Sequence, residues 1–401
     1  MILKKINKYP FFIKALSVGI IVRLLIILLT VIFPQLQIQS DAVTYEVGAL
    51  KIISEWHKGN FFFKDVGGMG SFQFLYYMFD AVLFYFFGFH SIIPRIINCI
   101  VGVLAAYYVY KATIRIFGKS PAKIALLLML FFPSLLYWQT LNIKEAIIVL
   151  LFAVVLNNLI KLKFDPSLKN FIITIVFLVL LSLTRMYTGV FLGVGICIYF
   201  FINSKISLNA KILMIGIVFI GANILSYKIG LGIMGWNVLK DFSLEYIDEV
   251  RKTQYRGGSE VLLNMSMSTP LGLIMFLPVG LLYYMFSPFP WNIGGTLFQT
   301  LALLENVIWY ILFFGFFFIG FKIAYKKERL ISLVMIGVMT LFILLYSISM
   351  GNMGIAFRLR SQLMPFFFIF ISIGISKILD KYFTNTTKKI ILDRLLFRKV
   401  C

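Results

Sequence analysis

The sequence predicts an all-α polytopic membrane protein, with about ten transmembrane helices and further helices lying at the outer face. Three observations carry this. Of 401 residues, 61% are hydrophobic and 13% charged, and the mean hydropathy is +0.94, which leaves too few polar groups to cover a water-soluble globule. Apolar runs recur from residue 12 to residue 379, so 1–401 reads as a single integral membrane domain. The basic residues sit in short loops between those runs and in the tail, which is how charge orients a chain in a bilayer.

The first run, 12–33, follows three lysines and no small-residue cleavage site follows it, so it is expected to remain as the first span. Further runs lie at 71–89, 93–112, 122–138, 145–162, 170–185, 187–203, 211–229, 270–287, 303–325, 330–349 and 362–379. Let every run cross, and Lys111, Arg115, Lys119, Lys123, Lys161, Lys163, Lys169, Lys205 and Lys211 all fall on the wrong face. Lay 71–89 and 270–287 along the outer face instead, and these residues become cytoplasmic, together with both termini and the basic segment 380–401. Most acids then gather outside, within the loop 34–92 and the segment 230–302. The working face is therefore expected to be the outer one.

The net charge of +22 invites a nucleic-acid partner, but loop lysines set by orientation account for it, and none is expected. Three cysteines, two of them inside apolar runs, support neither a disulfide framework nor a metal site. No P-loop, GxSxG, HExxH or GxGxxG context is present, and no soluble nucleotide-binding domain exists, so no cofactor is expected.

Candidate chemistry lies on the outer side. In Ser40 to Gly59, residues Ala42, Tyr45, Ala49, Ile52, Ile53 and Trp56 share one helical face, which describes a helix lying along the membrane surface. Asp41 stands at its start. That position suits an N-cap, and equally a general base able to take a proton from a sugar hydroxyl. Glu46 is about one and a half turns away, so the two carboxylates make a poor pair. Lys144 and Glu145 enter the span at 145; they are read either as a solvated interfacial pair or as a phosphate ligand with an orienting acid. Arg185 stands between two runs with almost no loop, a place where solubility needs no charge and a planar guanidinium suits an oxyanion. Arg358 and Arg360 oppose the orientation rule outright. Gly351, Asn352 and Gly354 favour an irregular turn in which both could face one anion. Arg23 falls mid-span, to pair with a buried carboxylate or to snorkel, and Asp80 with Arg95 reads as a structural pair.

Asp41, Tyr45, Ala49 and Gly59, then FQFLYYMFDAVLFYFFG (72–88), Arg95, VYKATIRIFGKSPAK (109–123) and Pro133 followed by Lys144-Glu145, together resemble the GT-C superfamily of membrane glycosyltransferases, which includes the protein O-mannosyltransferases and the aminoarabinose transferases. The likeness covers roughly 12–190. It implies a GT-C fold, a sugar donor on a polyprenyl phosphate or diphosphate, an inverting transfer to a glycan, lipid or protein acceptor hydroxyl, and Asp41 as base. Arg185, Arg358, Arg360 and Lys144 would hold the donor phosphate, and Glu145 and Tyr45 would orient the acceptor. Ala42 stands where many relatives carry a second acid, a departure that bears on the substrate class within a bacterial cell membrane. No Asp-x-Asp pair occurs on the outer face, so no metal is expected. Two other readings stay open: a repeat-unit polymerase working through outer-face arginines, and a lipid-oligosaccharide flippase or transporter.

Overall fold

The computed structural model describes residues 10–36, 40–61, 74–203, 243–253, 265–292 and 297–383, and these are built from helices and their connections. The expected span 211–229, much of the segment 230–302 and the tail beyond 383 lie outside the described residues. In chain order the helices are α1 (Pro10–Ile32), α2 (Ser40–His57), α3 (Phe74–Phe87), α4 (Ile92–Phe117), α5 (Lys119–Phe131), α6 (Pro133–Trp138), α7 (Glu145–Phe164), α8 (Leu168–Thr184) and α9 (Met186–Asn203). There follow α10 (Leu244–Lys252), α11 (Pro270–Phe286), α12 (Leu297–Leu312), α13 (Phe318–Lys327), α14 (Arg329–Ser349), α15 (Met353–Ser361) and α16 (Met364–Tyr382).

Within the described residues the apolar runs become helices nearly end for end, because a helix closes its own backbone hydrogen bonds, as an apolar medium requires. By length and composition five helices of the described residues can cross a membrane, and α15 with α16, bent by 66° at their junction, would make a sixth. The remaining apolar helices, among them α3, α8 and α11, are shorter. One expected run is interrupted for a visible reason. Pro133 disfavours helical backbone at Phe132, which adopts φ −68° and ψ 126°, so 122–138 divides into α5 and α6.

Helix α7 is the centre of the bundle. It is apolar all round, and the span it forms is 72% buried, against 28% for α1, whose Ile21, Leu25 and Leu28 face outward. It packs on α4 and α8, while α16 closes against α5 and α13, and α14 against α9 and α11. A second, smaller core joins α2, α3 and the turn before α7 through Tyr45, Ala49, Ile52, Tyr76, Tyr77, Trp138 and Leu141. Ala42, Tyr45, Ala49 and Ile52 are buried there as the periodicity predicts, but Val43, Val47 and Leu50 are exposed, so the outward face of α2 is apolar as well.

The bundle has two unlike ends. Lys163 pairs with Glu328 where α7 and α13 finish, and Lys119, Lys327 and Lys377 border a cleft of about 330 Å³ beside the C-terminus of α4. Those basic connections lie away from Asp41, Glu145, Arg185 and Arg358, which collect at the opposite end.

Helices α13 and α16 cross at contact distance. A Cβ on Gly320 would stand 1.7 Å from the Phe370 carbonyl oxygen, and one on Gly374 would stand 2.1 Å from that of Phe316. Backbone cannot yield as a side chain does. Gly374→Ala is therefore expected to cost about 1–3 kcal/mol as the helices are forced apart. Thermal unfolding in detergent measures this, and an unchanged midpoint would show the crossing to be loose.

Candidate active site

The site is built on a turn that would be unaffordable in an apolar setting without partners, and buried polar groups supply them. Arg23, fully buried in α1, donates to Gln139 Oε1 from Nη2 at 2.7 Å and from Nε at 3.3 Å, and caps the Gly19 and Leu130 carbonyls at 3.0 Å. Gly102 on α4 makes room for this, since a Cβ there would lie 2.2 Å from Gln139 Oε1. Arg95 Nε donates to the Thr140 carbonyl at 2.9 Å, and Asn98 Nδ2 donates to those of Leu141 at 2.7 Å and Ile143 at 3.1 Å. Two expectations are corrected here. Arg23 pairs with a neutral amide and carbonyls, not a carboxylate, and Arg95 does not pair with Asp80, whose partner is Asn142.

From this turn Lys144 and Glu145 enter α7. Glu145 is 1% exposed and begins the helix, where the positive end of the dipole favours a carboxylate. Its Oε1 lies 3.3 Å from Arg358 Nε and 3.7 Å from an Arg185 Nη. Arg185 ends α8 as its C-cap in extended conformation, with helix α9 starting at the next residue. Arg358 also donates to Asp41 Oδ2, closing a chain Asp41–Arg358–Glu145–Arg185 drawn from four separate elements.

Lys144 completes the cluster. It is 4% exposed, with Nζ 5.8 Å from the centre of the Tyr45 ring. Burial, with Arg185 beside it, pushes its ammonium well below the usual lysine range, although Glu145 opposes this. Burial raises the Asp41 carboxyl, but Arg358, then Lys144 and Arg185, outweigh it and hold the group below the ordinary carboxylate range. Three cations thus stand against two carboxylates, leaving a local positive charge when all are ionised.

Six of the sequence-predicted residues therefore meet: Asp41, Tyr45, Lys144, Glu145, Arg185 and Arg358. Arg360 is placed elsewhere. The segment expected to be an irregular turn is helix α15, capped by Asn352 Oδ1 accepting from Gly354 N at 2.7 Å. Two residues apart on a helix means about 200° apart around it, so the arginines diverge. Arg360, 1% exposed, donates to the Met285 carbonyl and to Asn306 Oδ1, both at 2.7 Å, and ties α15 to α11 and α12. Glu46 likewise turns away, toward Asn142. Sequence reasoning missed Arg23 and Asp80 as supports of the turn; their charge inside apolar runs was the available signal. Among the described residues no group of three His, Cys, Asp or Glu side chains is placed to hold a metal ion.

Residues 74–227 match the family model described as dolichyl-phosphate-mannose-protein mannosyltransferase. Among solved structures, ArnT from Cupriavidus metallidurans, bound to undecaprenyl phosphate, superposes with a TM-score of 0.54 at 14% identity, over 97% of this chain and 63% of that one. The chain has the GT-C fold. The archaeal oligosaccharyltransferase AglB from Archaeoglobus fulgidus, in complex with an inhibitory peptide and a dolichol-phosphate, gives 0.52 at 12% identity over 98% of this chain and 55% of that one. An Archaeoglobus fulgidus oligosaccharyltransferase in apo form gives 0.52 at 14% over 98% and 53%. The chain thus spans less than two thirds of these proteins' length. No curated protein matches it by sequence.

Proposed function

We propose that this chain is a glycosyltransferase that moves a sugar from a polyprenyl-phosphate donor to an acceptor hydroxyl at the outer face of the membrane, with inversion and with Asp41 as general base. The observation that carries the reading is the convergence of Asp41 with Arg358, Glu145, Arg185 and Lys144 at one end of the bundle. In the reaction, the acceptor oxygen attacks the anomeric carbon, the bond from that carbon to the phosphate oxygen breaks, and the lipid phosphate leaves with the electron pair. The hydroxyl proton passes to Asp41. Lys144, Arg185 and Arg358 stabilise the charge on the departing phosphate. Family match and bound lipids in the similar structures support this donor class.

The Asp41–Arg358 pair has a consequence for the order of events. Paired with a guanidinium, Asp41 is a weak base. A donor phosphate that draws Arg358 toward itself removes the strongest cation from Asp41 and raises its proton affinity where the acceptor needs it. Glu145, paired with both arginines, keeps them together.

Undecaprenyl phosphate binding to the purified chain in nanodiscs tests the anion site. Arg358→Ala and Arg185→Ala are each expected to weaken binding about tenfold to a hundredfold, the scale of a charge-assisted hydrogen bond of roughly 1.5–3 kcal/mol. Arg360→Ala is expected to destabilise the protein without changing the affinity of the folded fraction. Equal affinity in Arg358→Ala and the unmodified chain would remove the phosphate role.

A further inference from the structure

The mechanism above makes no use of Asp80, although it has no exposed surface. Among the described residues no lysine or arginine forms an ion pair with it. Its Oδ2 accepts from Asn142 Nδ2 at 3.0 Å, and among the described residues its Oδ1 has no hydrogen-bond partner. The same Asn142 nitrogen lies 3.4 Å from Glu46 Oε1, so one amide serves two acids. On its other side Asn142 Oδ1 accepts from the Tyr76 hydroxyl at 2.8 Å, and that hydroxyl accepts from Asn98 at 2.9 Å. Asn98 in turn holds the Leu141 and Ile143 carbonyls. A chain of bonds therefore runs from a buried carboxyl to the backbone directly ahead of Lys144 and Glu145.

Ionised, Asp80 would be a buried charge with no counter-ion and a second acid nearby, an arrangement that retains a proton. We propose that Asp80 is the positioning residue of the anion site: as a neutral carboxylic acid it orients Asn142 and so fixes the turn that presents Lys144 and Glu145. The importance of that turn rests on the glycosyl-transfer reading; the bonds themselves do not. Burial raises the Asp80 carboxyl to about 8, with Asn142 opposing and Glu46 adding to the shift. The other ionisable groups around it are Tyr45 on α2, Tyr76 and Tyr77 on α3, and Arg95 on α4, which acts on Glu46. Helix α8, also packed on α3, carries Lys169 in its first turn and ends on Arg185, which is paired with Glu145. Below about 8 the acid is neutral; above it a buried charge without a counter-ion appears beside Glu46, and that cost, which the Asn142 bond offsets only in part, loosens the packing that holds the turn.

Hydrogen exchange of amides 139–144, corrected for the intrinsic pH dependence, and undecaprenyl phosphate affinity are to be followed from pH 6.5 to 9.5 on the full chain in nanodiscs. The unmodified protein is expected to lose protection and affinity roughly tenfold between about pH 7 and 9, as the neutral fraction falls to about a tenth. Asp80→Asn, a neutral isostere, should match it at pH 7 and lose the pH dependence. Asp80→Ala should expose the turn at every pH. Lys144 titrates alike in the unmodified chain and in Asp80→Asn, so it cancels in their comparison. A pH profile unchanged in Asp80→Asn, or full protection in Asp80→Ala, overturns the proposal; if the alanine variant does not fold, the asparagine profile alone decides. Exchange requires no sugar transfer, so a failed transferase reading leaves this result standing, and a flat profile in an active transferase sinks Asp80 alone.

Discussion

Asp41→Asn is expected to lower sugar transfer by about 10²- to 10⁴-fold, the contribution typical of a positioned general base. The substitution keeps the shape of the side chain and its ability to accept from Arg358, so expression and unfolding temperature should change little. Binding of the lipid phosphate should hold or tighten, because a negative charge beside Arg358 disappears. That split, lost turnover with retained binding, is the signature of a group needed in the transition state only. With Arg358, Lys144 and Arg185 holding the carboxyl of the free chain below its ordinary range, kcat/KM should stay level through the neutral region, while the acid limb of kcat should lie at higher pH than that of kcat/KM, because the bound donor draws Arg358 away. Transfer by Asp41→Asn within tenfold of the unmodified chain would remove the base assignment. Were Arg185→Ala and Arg358→Ala inactive at the same time, the repeat-unit polymerase reading would take its place.

Much of this site is legible in the sequence because it depends on local rules. Charges that oppose the orientation rule single out Arg358, and an arginine in a near-absent loop singles out Arg185; both arrive at Glu145. The 3.6-residue spacing in 40–57 finds the buried face of α2. What stays hidden is set by pairs far apart in the chain. Nothing local says that Arg23 will meet Gln139, 116 positions on, or that Asn142 will stand between Tyr76 and Asp80. Arg360 illustrates a different limit: glycines read as an irregular turn serve only as the approach to a capped helix, and the helical twist then sends two neighbouring arginines to opposite tasks. The number of crossings is likewise not fixed by counting apolar runs, since Pro133 divides one and several others form helices short of a full span.

Glu145→Gln is expected to cost about 3–5 kcal/mol, the penalty for removing one partner from a buried ionic group, because Arg185 and Arg358 then face each other with only Asp41 as counter-charge. Thermal unfolding in detergent reads the loss, and transfer should fall with it. A bare structural role makes the same first prediction, so the decisive measurement is the rescue. Undecaprenyl phosphate places an anion where the carboxylate was, and the stabilisation it confers follows from its affinity for the folded chain. If the arginines form a phosphate site that Glu145 neutralises at rest, the lipid phosphate should raise the unfolding temperature of Glu145→Gln by more than it raises that of the unmodified chain, and added salt should shrink the difference. An equal shift in both proteins would mean that the ligand binds away from Glu145, and that the two arginines serve the fold and not the donor.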